Sequence, residues 1–395
     1  MPFAMKSGLE ALRREREALT AWLIADALPL WWRADADRVN GGFFEQIGQD
    51  GRAIDGPRRV RVTARQIFSF ARGRELGWNG PAEAIEHGLD FLLGKARAER
   101  GYFHGVVEPD GKATPDFDLY DNAFALFGLA AACRAGIRPN ACKEIAKKTL
   151  ATLRAGWTNP SGGFAESLAR VPPLKANPHM HLLEAALAWI EIEPADGGWN
   201  ALADEIAGLC LARFILPENG CVREYFDEMW NPAAGDAGRI VEPGHQFEWA
   251  WLLVRWGRQR NRIDALVAAR TLVALGERHG VDPRRGVAFA EMWSDLRPKD
   301  LTARLWPQTE RIRGWLAIAL QGSQVAEVEQ ALHKAAAAAA VLRSYLDTPV
   351  RGLWRDRMDE NGKFIEEPAP ASSLYHIVGA ISEMQAATRE LQGTR

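Results

Sequence analysis

The chain has 395 residues, 47% of them hydrophobic and 25% charged, the balance of an ordinary globular protein, which excludes disorder and fibres. Its 49 basic and 51 acidic residues give a net charge of −2, so no global field draws it to nucleic acid or an anionic membrane. No apolar run is long enough for a transmembrane helix or signal peptide, and Cys133, Cys142, Cys210 and Cys221 lack metal or redox spacing, which together predict a cytoplasmic protein.

Taken in order, the chain alternates two kinds of helix. An amphipathic helix over 7–31 leads to Gly42-Phe43-Phe44-Glu45 and then to a more apolar helix over 58–74. The same unit recurs as 81–97, Gly101-Tyr102-Phe103-His104 and 117–133, then as 140–155, Gly163-Phe164-Ala165-Glu166 and 178–194. It recurs again as 198–216, Gly220 to Glu224 and 244–258, as 261–281, Gly286 to Phe289 and 306–322, and as 325–346, Gly352 to Arg355 and 371–388. Gln49-Asp50-Gly51, Pro109-Asp110-Gly111 and Glu360-Asn361-Gly362 read as the turns of short hairpins. Helices apolar all round are buried, and amphipathic ones cover them. Six such pairs predict an all-α (α/α)6 barrel, an inner and an outer ring with short β-hairpins at one end. No linker composition interrupts the period, so residues 1–395 read as a single domain.

Each inner helix opens with a polar and aromatic cluster, and six clusters at one end would build a polar cavity. Four of the eight histidines fall in these openings: His179, His181, His245 and His376. Imidazole is the side chain best suited to move protons near neutral pH. Asn177, His181 and Glu184 share one helical face, which makes His181 rather than His179 the inward residue. The i, i+3 spacing of His245 and Glu248 lets that carboxylate orient the imidazole. Arg65, one turn beyond Arg61, could bind a substrate oxygen or neutralise Glu310 or Glu248. The fifteen tryptophans suit a cleft for sugar rings, with Trp306, Trp249, Trp354 and Trp293 as candidate floors. His87, His279 and His333 read as solvated surface residues.

Three chemistries stay open on the residues alone. Three histidines and a carboxylate could hold a metal, though they lack short-range ligand spacing. Glu248, Glu310 and Asp121 could supply the carboxylate pair of a glycoside hydrolase. Inward histidines could transfer protons on a sugar, or the barrel could simply bind carbohydrate.

Thr63-Ala64-Arg65-Gln66, Asn177 to Glu184, Gly244 to Glu248, Trp306 to Glu310 and Tyr375-His376 together resemble the N-acylglucosamine 2-epimerase superfamily over essentially the full chain. The resemblance implies an (α/α)6 barrel and metal-free, cofactor-free chemistry on an open-chain sugar. It implies that His245 and His376 are the acid/base pair, that His181 assists ring opening and that Arg65 binds substrate oxygens. Tyr120, Asn122, Asn177, Glu184, Glu248, Trp249, Trp306, Glu310 and Arg61 complete the expected sugar site. The expected reaction is aldose–ketose isomerisation of D-mannose and D-fructose, with sugar 2-epimerisation as the alternative. The expected partner is the sugar alone, with the chain a monomer or homodimer. One departure is that Tyr120 is followed by Asp121-Asn122, where many members carry His or Gln.

Overall fold

The computed structural model describes residues 4–393. Its helices follow in chain order: α1 (Ala4–Trp22), α2 (Leu28–Ala34), α3 (Val60–Glu75), α4 (Glu83–Phe91), α5 (Leu119–Arg134), α6 (Pro139–Gly156) and α7 (Ala176–Ile192). They continue as α8 (Gly197–Leu209), α9 (Pro243–Arg260), α10 (Ile263–Gly280), α11 (Leu305–Ala319), α12 (Val325–Tyr345) and α13 (Ser372–Gly393). The odd-numbered helices from α3 to α13 form the inner ring and the others the outer ring, as the alternation predicts.

Burial follows the two patterns. On α5 only Tyr120, Ala131 and Arg134 escape full burial, whereas α6 buries the stripe Cys142, Ile145, Ala146, Thr149, Leu150 and Leu153. The alanine run Ala335 to Ala340 lies inside α12, as its propensity dictates. The first helix differs from expectation, because a π-turn over Leu23–Ala27 divides α1 from α2. Pro29 sits in the first turn of α2. Proline has no N–H to donate, and the wider turn absorbs the missing bond.

The hairpins close the barrel's mouth as a ring. Each strand entering an inner helix pairs with the hairpin of the next repeat: Arg58–Arg59 with Val106–Val107, Leu174–Lys175 with Tyr225–Phe226, and Ile240–Val241 with Met292–Trp293. Ala303–Arg304 pairs with Arg357–Met358, and an Asp118–Ser167 bridge links the second and third repeats. Gln46–Ile47 pairs with Ala369–Pro370, which joins the first repeat to the last. The predicted Asp-Gly and Asn-Gly turns are present, with Gly51, Gly111 and Gly362 at φ of 82°, 83° and 90°, where glycine alone carries no Cβ penalty. No helix among the described residues is long and apolar enough to cross a membrane.

Candidate active site

The N-termini of the six inner helices converge on a cavity of about 410 Å³. Six positive helix ends facing one space favour developing negative charge there. Arg61 and Arg65 enter it from α3, Tyr120 from α5, and Asn177 and His181 from α7. His245 and Glu248 enter from α9, Trp306 from α11 and His376 from α13. Nine predicted residues therefore meet in one place.

Each of the three cavity histidines has its Nδ1 tied to a carboxylate. His376 reaches Glu310 Oε1 at 2.8 Å, His181 reaches Glu184 Oε2 at 3.1 Å, and His245 reaches Glu224 Oε2 at 2.8 Å. A carboxylate on Nδ1 fixes the tautomer and leaves Nε2 for the substrate. Glu248 does not orient His245, as its spacing suggested. Glu224, from the hairpin before α9, takes that place, and Glu242 stands 3.7 Å away on the same nitrogen. The Trp306 ring neighbours both His245 and His376, at 5.0 Å and 5.6 Å between ring centroids.

The same ring type meets two electrostatic environments. Burial, with Arg65, His181 and Arg313 nearby, holds His376 well below the usual imidazole range. Burial also carries His181 down to about 4, against the pull of Glu184. Burial acts on His245 too, but Glu224 and Glu242 outweigh it and hold that imidazole well above its usual value. The neighbouring charges therefore favour the neutral form of one imidazole and the charged form of the other.

Arg65 pairs with no carboxylate among the described residues, contrary to the ion-pair reading. It donates to the Tyr120 hydroxyl at 2.7 Å, its guanidinium lies 4.1 Å from the Phe124 ring centre, and its Nε is buried without a partner. Its charge is thus available to a ligand. Both Glu248 oxygens are also buried without a hydrogen-bond partner, although His181 Nδ1 and an Arg313 nitrogen stand 3.9 Å and 4.0 Å from Oε1. Burial and the neighbouring Glu310 push this carboxyl well above its usual range, against the pull of Arg313.

Four predicted contacts lie elsewhere. Glu184 and Glu310 stand behind the cavity as the partners of His181 and His376. Trp249 is fully buried and packs edge-on against Phe214, so it is core. Asn122 clamps the second hairpin, accepting from Phe103 N at 2.8 Å and donating to Phe103 O at 2.9 Å. Gln246 does the same to Val222 and Gln308 to Ala288, while His179 accepts from Phe164 N at 3.1 Å. Four of the polar clusters therefore divide their residues between the cavity and the hairpin backbone one or two positions after the repeated glycine. Replacing Asn122 with alanine should lower stability by about 1–3 kcal/mol, the cost of unpaired buried amide groups. Denaturant unfolding should report this loss, with kcat preserved.

Other expectations are corrected by packing. His87 is half-buried between Trp32 and Phe43 and bonds Gly42 O at 2.7 Å, so it is not a solvated histidine. Trp354 stacks on Trp31 at 4.5 Å in the core, and Trp293 lies under Arg239 and Lys299, away from the cavity. Glu224 and Arg313 escaped the sequence reading. Glu224 ends one copy of the repeated motif. Arg313 follows Glu310 by one turn and is the only charge in the otherwise uncharged stretch from Ile312 to Gln321.

Three groups bring possible metal ligands within 4.8 Å of one another: His181–Glu184–Glu248, Glu248–Glu310–His376 and Glu224–Glu242–His245. Arg313 already donates to Glu184 at 3.0 Å and to Glu310 at 2.9 Å. The positive charge that a metal would supply is therefore present in the first two groups, and His245 bonds Glu224 in the third. Glu248 and Glu310 lie side by side, whereas glycoside hydrolysis needs two carboxyls flanking the scissile bond.

The family model described as N-acylglucosamine 2-epimerase (GlcNAc 2-epimerase) matches residues 42–380. A Rhizobium meliloti (strain 1021) protein named mannose-6-phosphate isomerase is 44% identical over 93% of this chain and 96% of its own. A D-mannose isomerase of Pseudomonas cannabina pv. alisalensis is 29% identical over 69% of this chain and 71% of its own. In structure, the cellobiose 2-epimerase of Spirochaeta thermophila DSM 6192 superposes with a TM-score of 0.82 at 22% identity, over 96% of this chain and 98% of its own. A solved D-mannose isomerase gives 0.80 at 20% identity, over 98% and 99%. Ring architecture, histidine cavity and family match converge: the chain belongs to the N-acylglucosamine 2-epimerase family of sugar isomerases and 2-epimerases.

Proposed function

We propose that the protein is an aldose–ketose isomerase that interconverts D-mannose, free or as its 6-phosphate, with the corresponding fructose through a cis-enediolate. The observation that carries this reading is the opposite electrostatic setting of His376 and His245, both packed near Trp306, in a cavity that Arg65 also lines. Neutral His376 removes the C2 proton to leave the enediolate, whose O1 then takes a proton from the His245 imidazolium. His376 then delivers its proton to C1 and O2 returns one to His245, so both histidines end as they began. Arg65 and the converging helix ends stabilise charge on the enediolate oxygens, and neutral Glu248 donates to a sugar oxygen. His181 and Asn177 supply further hydrogen bonds during ring opening. The chain's own groups complete this proton balance without a metal.

The 6-phosphate form is favoured by the rim of the cavity. Arg59, Arg61 and Arg304 line it, while their carboxylate partners Glu45, Asp121 and Asp356 stand outside the lining. Guanidinium groups backed in this way present donors to the cavity, and a phosphate monoester is their natural complement. The name of the Rhizobium meliloti relative agrees with it.

A 2-epimerase is the second reading, supported by the entry of the two histidines into the cavity from different inner helices, α9 and α13. Return of a proton to C2 from His245, instead of to C1 from His376, would give the epimer from the same intermediate. Turnover of mannose or its 6-phosphate in D2O, with chelator present, tests both. The expected result is ketose carrying deuterium at C1. Deuterium at C2 of the glucose product, with little ketose, would move the reaction to epimerisation. Multiple turnovers without any deuterium, or activity abolished by chelator and restored by a divalent ion, would refute the proton-transfer reading.

A further inference from the structure

Arg313 does not line the catalytic cavity, yet it lies at the centre of the charges beneath it. Its side chain is 3% exposed, and its guanidinium lies flat on the Trp251 indole, 3.4 Å from the ring centre. One nitrogen donates to Glu184 Oε1 at 3.0 Å and another to Glu310 Oε2 at 2.9 Å. The opposite oxygens of these two carboxylates hold His181 and His376. Tyr375 also donates to Glu184 Oε2. A single buried cation thus clamps the orienting carboxylates of two histidines. The third histidine, His245, has no such arrangement: its partners Glu224 and Glu242 show no arginine contact at ion-pair distance among the described residues.

We infer that Arg313 is the positioning residue that divides the labour between the two proton carriers, keeping His376 a base while His245 is left an acid. A carboxylate on Nδ1 normally raises the basicity of an imidazole and favours its charged form. Where Arg313 already satisfies that carboxylate, the oxygen still orients the ring but its charge is spent. Without a guanidinium, Glu224 orients and charges His245 at once. The groups facing His376 are Arg65 from α3, His181 and Glu184 from α7, Glu248 from α9, Glu310 and Arg313 from α11, and its neighbour Tyr375. Of the two arginines in that set, Arg65 is the one the substrate uses. Arg313 supplies the permanent charge, and Trp251 and the two carboxylates give it no freedom to leave.

The proposal rests on the acid and base roles given above, but its test reads the rings themselves. NMR titration of the histidine ring nitrogens in the wild-type protein should show His376 neutral and His245 protonated at pH 6. The reverse assignment would overturn the inference with no variant required. In Arg313→Gln, the His376 titration should move up by about one unit or more, while His245 stays unchanged. The acid limb of kcat/KM should move by the same amount, so the variant loses about tenfold most severely at low pH and recovers as pH rises. Arg313→Lys, or guanidinium added to Arg313→Ala, should restore the wild-type titration. The cavity of about 360 Å³ that Arg313 lines at the opposite end of the barrel gives the small cation an entry. A folded Arg313→Gln protein with an unmoved His376 titration would refute the inference, as would a pH-independent loss of activity. If the titrations behave as expected while deuterium exchange fails, the inference stands and the proposed reaction falls.

Discussion

Removing either imidazole, in His376→Ala or His245→Ala, is expected to lower turnover by at least ~10²-fold, the usual contribution of a positioned acid or base. Both rings are buried and bonded to a carboxylate, so each variant also leaves Glu310 or Glu224 short of one partner. Circular dichroism and thermal unfolding therefore need to accompany the kinetics. His333→Ala is the control, since that ring is 49% exposed on α12 and bonds Glu329, away from the cavity. A folded variant of His376 or His245 with near-normal turnover would remove that residue from the mechanism. The wild-type pH profile checks the same assignment. His376, held below its usual value, stays neutral until the pH falls well into the acid range, so the acid limb lies below that of an ordinary histidine. His245, held above its usual value, keeps its proton as the pH rises, so the basic limb lies higher. The expected bell is wider than two unperturbed imidazoles would give.

The second large effect belongs to the rim. Arg304→Met should raise KM for mannose 6-phosphate about tenfold, or ~1.4 kcal/mol, just under the ~1.5–3 kcal/mol of a charge-assisted hydrogen bond because solvent screens this side chain. KM for free mannose should barely move, because no phosphate is present to lose a contact. Arg304 is 44% exposed and bonds Asp356 at 2.9 Å, so the side chain is partly screened and the effect should shrink at high salt. Equal losses on both sugars would place Arg304 in the scaffold and leave free mannose as the better substrate reading.

The periodic features of this protein are legible in its sequence because burial acts on every turn of every helix. The six apolar inner helices and six striped outer ones follow directly, as do the Asp-Gly turns. His181 could be preferred over His179 because helical geometry separates i from i+2 by more than half a turn. Asn122 and Gln246 show where that reasoning ends. Their spacing marks the polar end of a buried helix, but whether a side chain points to the cavity or back to a hairpin depends on the neighbouring repeat. Glu224 lies twenty-one positions before His245 in the chain, and no helical period connects a hairpin to the helix after it. Trp249 and Trp306 are chemically alike in sequence, and only the packing of Phe214 against one makes it core.

The pairing of Gln46–Ile47 with Ala369–Pro370 also bears on how the chain reaches its working form. Until the last repeat is present, the strands at both ends of the incomplete ring have exposed edges, and such edges invite pairing with other chains. His376, the proposed base, follows the Ala369–Pro370 strand of that seam within one short turn of chain. During synthesis the cavity therefore gains its decisive imidazole only at the step that also seals the ring. Any product truncated before that seam would have neither a protected edge nor a base. Closure and competence arrive together, which makes assembly of this barrel an all-or-none checkpoint on activity.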